Sequence, residues 1–304
     1  MALDDVVLCS GGLYVAQRGA DLSHRHPALR VGSVTPLAPP GGPPVEARRA
    51  DNVVWRRHWL QDDRLVVEFV DVAIVEVRRG SGTVVFDRQL APDVEQHLLF
   101  DHVLPLVLAQ QGALVVHGGL ISLAERGVVL IGASGAGKST LTAFASQHGW
   151  TVGGDDAVVL LPTDPPKAEP TYATVRLSPT SADLLGLDRR GASFVAGKVR
   201  MSANGGRAFR QDPVDVRLIV TLERAGAGEN PRFDPLAAVD AHVRLFGATF
   251  HAELSRHRLL PAVVAGLASV VEATPVGRLT VPWGLDGLAA AEKLLRARLD
   301  TAVT

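Results

Sequence analysis

The chain has 304 residues, of which 47% are hydrophobic and 21% charged, and its formal net charge is −1, which gives no reason to expect a nucleic acid or an acidic membrane surface as partner. A single cysteine, Cys9, excludes an internal disulfide. Because no run of about 18 apolar residues is present and acids stand where a signal peptide carries positive charge, we expect no membrane partner and a cytoplasmic location.

Residues 1–90 are predicted to form a β-rich N-terminal region. Short valine-rich runs bounded by Gly, Pro or Asp are typical of strands, among them "RLVVEFV", "AIVEVRRG" and "GTVVFD". His24 and His26 could form a metal pair, but no third ligand lies at ligand spacing, and this favours a solvated loop. The strands show no readable catalytic site, although the region is a candidate for recognising a substrate.

Residues 91–112 are predicted to form a helix that bridges the N-terminal region and the rest of the chain. Pro92 and Asp93 suit the first turn of a helix, and Gly112 suits its end. Between them, apolar residues recur at helical spacing.

Residues 113–304 are predicted to alternate strands and helices. The strands "ALVVHGGLIS" and "GVVLIGAS" precede a helix over Lys138–His148 and then the strand "WTVGG". Further strands are expected at "ATVRLS", "DVRLIVTLER" and "GRLTVPW", with helices between Pro235 and Val271 and at the C-terminus. The stretch "RLFGATFHAEL" (Arg244–Leu254) has the spacing of an amphipathic helix.

A glycine-rich segment between the second strand and the first helix fits the phosphate-binding pattern G-x-x-x-x-G-K-[ST]. Its glycines let backbone N–H groups point inward, and the helix that follows adds its positive dipole end. Lys138 is expected to reach the β- and γ-phosphates, and Ser139 to bind Mg²⁺. The expected nucleotide contacts are Gly132, Ala133, Ser134, Gly135, Ala136, Gly137, Lys138, Ser139 and Thr140.

Asp155 and Asp156 follow the next strand, soon after the loop. Two adjacent aspartates after two glycines could form an ordinary turn. Beside a phosphate loop, they instead suit a phosphotransfer site, where one carboxylate holds Mg²⁺ and the other accepts a proton from an attacking hydroxyl. We assign Asp155 as the base and Asp156, with Ser139, as metal ligand, although the residues themselves leave this division open.

The span from Leu114 to Leu160 resembles the catalytic core of HPr kinase/phosphorylase and its short relatives, some of which modify lasso peptides. A histidine-bearing strand, the phosphate loop and a "G-[HY/W]-x-[LV]-x-[AS]-D-D" segment correspond to His117, Gly132–Thr140 and Gly149–Asp156. The resemblance implies a P-loop, phosphoenolpyruvate-carboxykinase-like kinase core with a mixed sheet. The fold class is therefore α/β, with the β-rich region preceding this core.

Further residues enter through the resemblance. A lone histidine in an apolar strand is usually a core residue, but the match gives His117 an active-site role. Arg176, Lys198 and Arg200 resemble basic positions of the short relatives and are candidate phosphate or substrate contacts, with the last two in a flexible loop that closes over the triphosphate. An ordinary surface loop is the alternative. Ala133 replaces an Asp of the bifunctional enzymes, which argues against a reverse phosphorylase activity.

These features predict an ATP- and Mg²⁺-dependent kinase that transfers the γ-phosphoryl group to a hydroxyl, with a serine of a peptide or protein as the first choice of acceptor. A small-molecule hydroxyl kinase is the second interpretation. A nucleotide-binding regulatory module without phosphoryl transfer is the third. The family often forms hexamers, so the resemblance also implies a homo-oligomer.

Overall fold

The computed structural model describes residues 6–9, 12–15, 30–31, 35–50, 53–61, 64–78, 83–110, 112–172, 174–190, 192–202, 209–210, 212–226, 229–250 and 260–301. The histidines His24 and His26 lie outside these ranges, and so does most of the glycine-rich stretch that follows Arg200. Within the described residues, no helix is long and apolar enough to cross a membrane.

The N-terminal region is built from strands, as its valine-rich runs predict. β1 and β2 form a hairpin, and the strands after them form a sheet in the order β3-β8-β7-β6-β5-β4, antiparallel except where β3 meets β8. The bounds are β1 (Val6–Cys9), β2 (Gly12–Val15), β3 (Arg30–Val31), β4 (Glu46–Ala50), β5 (Val53–Leu60), β6 (Arg64–Phe69), β7 (Ala73–Arg78) and β8 (Thr83–Phe86).

The predicted bridging helix is present but is not uniformly α-helical. It consists of α1 (Pro92–Leu98), a π-helical segment (Leu99–Val103) and α2 (Leu104–Gln110). Pro105 has no N–H to donate to the Asp101 carbonyl, so the regular series of α-helical backbone hydrogen bonds is interrupted at this point. The apolar face of the helix packs on the N-terminal sheet, where Leu99, Val103 and Leu106 are fully buried against residues such as Val67 and Val75.

The remaining elements are, in chain order, β9 (Leu114–Val116), β10 (Gly119–Leu123), β11 (Arg126–Ile131), α3 (Lys138–Gln147), β12 (Thr151–Gly154), β13 (Val158–Leu161), β14 (Lys167–Glu169), β15 (Thr174–Leu177), α4 (Pro179–Leu184), β16 (Ser193–Val195), β17 (Lys198–Ser202), β18 (Val214–Arg224), β19 (Arg232–Pro235), α5 (Ala238–Ala248), α6 (Leu260–Ala273), β20 (Val276–Val281) and α7 (Leu285–Thr301).

A mixed sheet organises these elements and confirms the predicted α/β class. Its order is β12-β10-β11-β18-β14-β13-β9, with β20 on β18 and β19 on β20. β18 pairs in parallel with both β11 and β20, so the carboxyl ends of these strands meet at one edge of the sheet. Apolar side chains of α3 and α7 cover one face, and those of α5 and α6 contribute to a separate cluster. Strands β15, β17 and β16 form a smaller antiparallel sheet.

The structure differs from the sequence predictions around His117. The expected single strand "ALVVHGGLIS" is broken into β9 and β10 at this residue, because the His117 N–H donates to the Ala248 carbonyl at 2.6 Å. The helix predicted to continue to Leu254 ends at Ala248, where Thr249 is extended and bridges Val116. A contact between distant segments thus overrides the helical pattern of the local sequence.

Candidate functional site

The glycine-rich loop connects the end of β11 to the start of α3, as the sequence predicts. Gly137 caps α3 in the left-handed region, with a φ of 103°. Gly132 has a φ of 140°, and a Cβ at this position would lie 2.6 Å from the Leu222 carbonyl oxygen of β18. Close packing of the loop entrance against β18 therefore requires glycine here.

Replacing Gly132 with Ala should destabilise the protein by about 1–3 kcal/mol, because the new methyl group clashes with fixed backbone in a disfavoured conformation. Gly135→Ala is the matched control, since Gly135 also has a positive φ of 80° but a Cβ added there would meet nothing within 4 Å. Urea unfolding of the two variants measures the difference. Equal losses of stability would show that contact with Leu222 does not distinguish the positions.

Lys138 begins α3 and folds back over the loop. Its Nζ donates to the carbonyl of Gly132 at 2.7 Å and to that of Ala133 at 3.2 Å. Burial lowers the pKa of Lys138, while the charges of Asp155 and Asp156 oppose this shift. The Lys138 amino group therefore lies at the loop carbonyls, within electrostatic range of the paired acids.

The paired aspartates directly follow β12, as predicted, but their environments differ. Asp155 is fully buried, and its Oδ2 accepts a hydrogen bond from the Arg176 backbone N–H at 2.9 Å. Asp156 has a φ of 72°, a conformation that L-residues rarely adopt, and its Oδ2 lies 3.9 Å from Arg176 Nη1, too far for a hydrogen bond. Among the described residues, Asp155 Oδ1 and Asp156 Oδ2 are buried without a hydrogen-bond partner.

Burial and the neighbouring charge of Asp156 raise the pKa of Asp155 to about 7. The Arg176 backbone N–H, the Ser139 side chain and the Lys198 charge act in the opposite direction; Ser139 approaches Asp155 outside hydrogen-bond geometry. Two charged carboxylates that are buried next to each other repel, and a bound cation would offset this repulsion.

His117 supports the backbone of the paired aspartates. Its Nδ1 lies 3.0 Å from the Asp156 carbonyl oxygen, and since a carbonyl only accepts, Nδ1 carries the proton and donates. Burial lowers the pKa of His117, which favours the neutral ring. The contact gives His117 a role in holding the left-handed turn at Asp156.

Arg176 and Arg200 belong to a buried ionic cluster centred on Asp101, which the π-helical segment of the bridging helix presents. Asp101 accepts from Arg200 Nη2 at 2.6 Å, pairs with Arg176 Nη1 at 2.8 Å and contacts His97 Nδ1 at 2.6 Å. Burial alone would raise the pKa of Asp101, but the His97 hydrogen bond and the two guanidinium groups hold it well below its usual range.

This cluster changes the interpretation of the predicted basic loop. Lys198 and Arg200 lie on strand β17, not in a flexible loop, because β17 pairs with β15 and with β16. Arg200 is buried, bonded to Asp101 and to Thr174 Oγ1, and its guanidinium lies over the Tyr172 ring. Lys198 and Arg176 border the large cavity beside the glycine-rich loop, whereas Arg200 does not border it and instead donates a hydrogen bond to Asp101.

A cavity of about 870 Å³ brings most of the predicted site residues together. The predicted residues that border it are His117, Asp156, Arg176, Lys198 and the loop from Gly132 to Thr140 without Ala136. Three described residues that were predicted for the site do not border the cavity: Ala136, Asp155 and Arg200. Further residues that were not predicted from the sequence also line the cavity: Trp55, Arg56, Asp101, His102, Arg224, Arg244 and Trp283.

Some of the missed residues carry a sequence signal. Arg224 and Trp283 stand at the carboxyl ends of predicted strands, where ligands of parallel sheets bind. No sequence signal marks Trp55, Arg56 and His102, because they come to the cavity only when the N-terminal sheet and the π-helical segment pack against the core. The N-terminal region therefore shares the site instead of standing apart from it.

No protein-family model and no curated protein matches the chain. Among solved structures, the chain is similar to the HPr(Ser) kinase/phosphatase from Coxiella burnetii, with 13% sequence identity and a TM-score of 0.34 over 62% of this chain and 97% of that one. This degree of similarity does not establish membership of that family.

Proposed function

We propose that this protein is an ATP- and Mg²⁺-dependent kinase that transfers the γ-phosphoryl group to a hydroxyl. One observation carries the proposal: the glycine-rich loop, Lys138 and Asp156 line the same cavity, and the buried Asp155 directly precedes Asp156. The loop is a P-loop in this proposal, and the backbone N–H groups and Lys138 hold the phosphates. The resemblance of the sequence to HPr-kinase-like proteins agrees with this function.

The residues present fit a magnesium ion shared with phosphate oxygens. Asp155 Oδ1 is a buried carboxylate oxygen without a hydrogen bond among the described residues, Ser139 approaches the same side chain, and carboxylates are the protein ligands that Mg²⁺ prefers. The described residues contain no cluster of three or more acidic, His or Cys side chains that could hold a metal by themselves. When bound, Mg²⁺ would neutralise the charge of the phosphates.

The geometry favours Asp156 as the base and Asp155 as the metal ligand, the reverse of the roles predicted from the sequence. Asp156 borders the cavity, its backbone carbonyl accepts from His117, and its carboxylate lies 3.9 Å from Arg176 Nη1, whereas Asp155 is enclosed and approached by Ser139. In this proposal Asp156 accepts the proton of the acceptor hydroxyl, whose oxygen bonds to the γ-phosphorus as the bond to ADP breaks. Asp155 and Ser139 would hold the metal. Arg176 and Lys198 also border the cavity and contact the phosphates in this proposal.

The preferred acceptor is a serine of a peptide or protein, on the strength of the sequence resemblance. A small-molecule hydroxyl is the second candidate, because a volume of about 870 Å³ lies within the range of small-ligand sites. To distinguish the two, purified protein is incubated with ATP, Mg²⁺ and either serine-containing peptides or small hydroxy compounds. The true acceptor is the one for which phosphate ester and ADP form in equal amounts.

Lys138→Met tests the nucleotide site itself. Loss of the ammonium group should weaken ATP binding about 10- to 100-fold, since charge-assisted hydrogen bonds to phosphate are lost. Calorimetric titration measures the affinity, and Lys293→Met, at an exposed lysine on α7, is the control. Unchanged ATP affinity in Lys138→Met would contradict the proposal. ATP binding by the wild type without ADP release for any acceptor would favour the regulatory module instead.

A further inference from the structure

Arg224 and Trp283 form a stacked pair on the wall of the cavity. The Arg224 guanidinium carbon lies 4.8 Å from the centroid of the Trp283 ring, within the range of a cation–π contact. Trp283 is 48% exposed, an unusual state for the largest apolar side chain, and both residues border the cavity. The pair therefore offers a flat, polarisable surface to whatever occupies that space.

The sheet places this pair next to the glycine-rich loop. Arg224 is the last residue of β18 and pairs with Val281, the last residue of β20, and Trp283 follows two residues later. The loop follows β11, which is parallel to β18 on its other side. Arg224 Nη2 also donates to the Gly135 carbonyl at 3.3 Å, so the guanidinium lies between the loop and the indole ring.

A second arginine–tryptophan pair lines the same cavity and is the competing platform. The Arg56 guanidinium carbon lies 5.2 Å from the centroid of the Trp55 ring. Trp55 packs edge-on against His102, at 5.1 Å between ring centroids, and belongs to the N-terminal sheet. The hydrogen bond to Gly135 connects the Arg224 pair directly to the loop that is proposed to hold the phosphates.

We infer that the base of the bound nucleoside triphosphate stacks on the Arg224–Trp283 pair, an inference that rests on the proposed function. A nucleobase presents a flat π-face, which an indole and a guanidinium plane both match. With the phosphates on the loop, the sugar and base extend past Gly135 toward Arg224 and then Trp283. The part of the cavity that Trp55 and His102 border is left for the acceptor.

Comparing ATP with inorganic tripolyphosphate isolates the contribution of the base. The wild type should bind ATP about tenfold more tightly than tripolyphosphate, since base stacking on an aromatic ring has about this effect. Trp283→Leu should lower the ATP affinity about tenfold and leave tripolyphosphate binding unchanged, so that the ratio falls to about one. Arg224→Gln should lower the ratio less. Calorimetry gives both affinities without requiring turnover.

Two control variants define the specificity of the effect. Trp55→Leu should keep the wild-type ratio of affinities, and so should Phe194→Leu, an exposed aromatic residue that does not border the cavity. Thermal unfolding shows whether each variant is folded. If Trp283→Leu does not fold, Arg224→Gln provides the test. In addition, ATP should quench tryptophan fluorescence in the wild type and less in Trp283→Leu.

The outcomes separate this inference from the function on which it rests. A wild-type ratio in folded Trp283→Leu and Arg224→Gln, or a loss of the ratio in Trp55→Leu alone, overturns the inference and leaves the phosphate site intact. Equal loss of both ligands in Trp283→Leu also overturns it, because the residue would then act on the loop. If the wild type binds neither ligand, the proposed function fails and the inference falls with it.

Discussion

Asp156→Asn is expected to reduce the rate of phosphoryl transfer by about 10²- to 10⁴-fold, the usual contribution of a general base. The side chain borders the cavity, its Oδ2 is buried without a hydrogen bond among the described residues, and His117 holds its backbone in place. Asparagine keeps the size of the side chain but does not take up a proton. Single-turnover measurements with ATP and Mg²⁺ follow the chemical step directly.

Asp155→Asn serves as the matched comparison, because the neighbouring carboxylate is enclosed. Its amide oxygen can still accept from the Arg176 backbone N–H, so the fold should be retained. We expect this variant to need more Mg²⁺ for half its maximal rate and to recover more activity at saturating Mg²⁺ than Asp156→Asn. If Asp155→Asn abolishes transfer at every Mg²⁺ concentration while Asp156→Asn keeps full activity, Asp155 is the base, as first assigned from the sequence.

Asp101→Asn is expected to destabilise the protein by about 3–5 kcal/mol, because it leaves the Arg176 and Arg200 guanidinium groups buried without their negative partner. The ion pairs of Asp101 are at hydrogen-bond distance, and all three side chains are buried. Denaturant unfolding measures the loss. Asp300→Asn, which removes an exposed partner of Arg126, should cost less than about 1 kcal/mol and is the control.

The wild type and Asp101→Asn should also differ in how their free energy of unfolding depends on pH. The pKa of Asp101 is lower in the folded than in the unfolded protein, so its stabilising contribution is complete above the unfolded pKa of about 4 and is lost as the pH falls toward the folded value. The free energy of unfolding of the wild type should therefore fall more steeply below about pH 4 than that of Asp101→Asn. Parallel pH dependence would contradict the role of this carboxylate.

The elements predicted from the sequence agree with the structure where the interactions that determine them are local. The strand before the glycine-rich loop, the helix from Lys138 and the position of Asp155 and Asp156 after β12 all agree with the structure. Each depends on the φ freedom of glycine, on helix capping or on the apolar pattern of a few neighbouring residues. The predicted strand through His117 failed because a hydrogen bond from a distant helix end competes with the local pattern.

The amino-acid sequence alone determined the local chemistry of this protein: a glycine-rich loop with a lysine at a helix start, and two acids a short distance beyond it. Only the tertiary structure decided which acid borders the cavity, that Arg200 stabilises Asp101, and that Trp283 and Trp55 stand on the cavity wall. The reason is physical. Local conformation follows from neighbouring residues, whereas a cavity wall is assembled from strand ends and a helix that are far apart in the chain, and their meeting depends on the packing of the whole core.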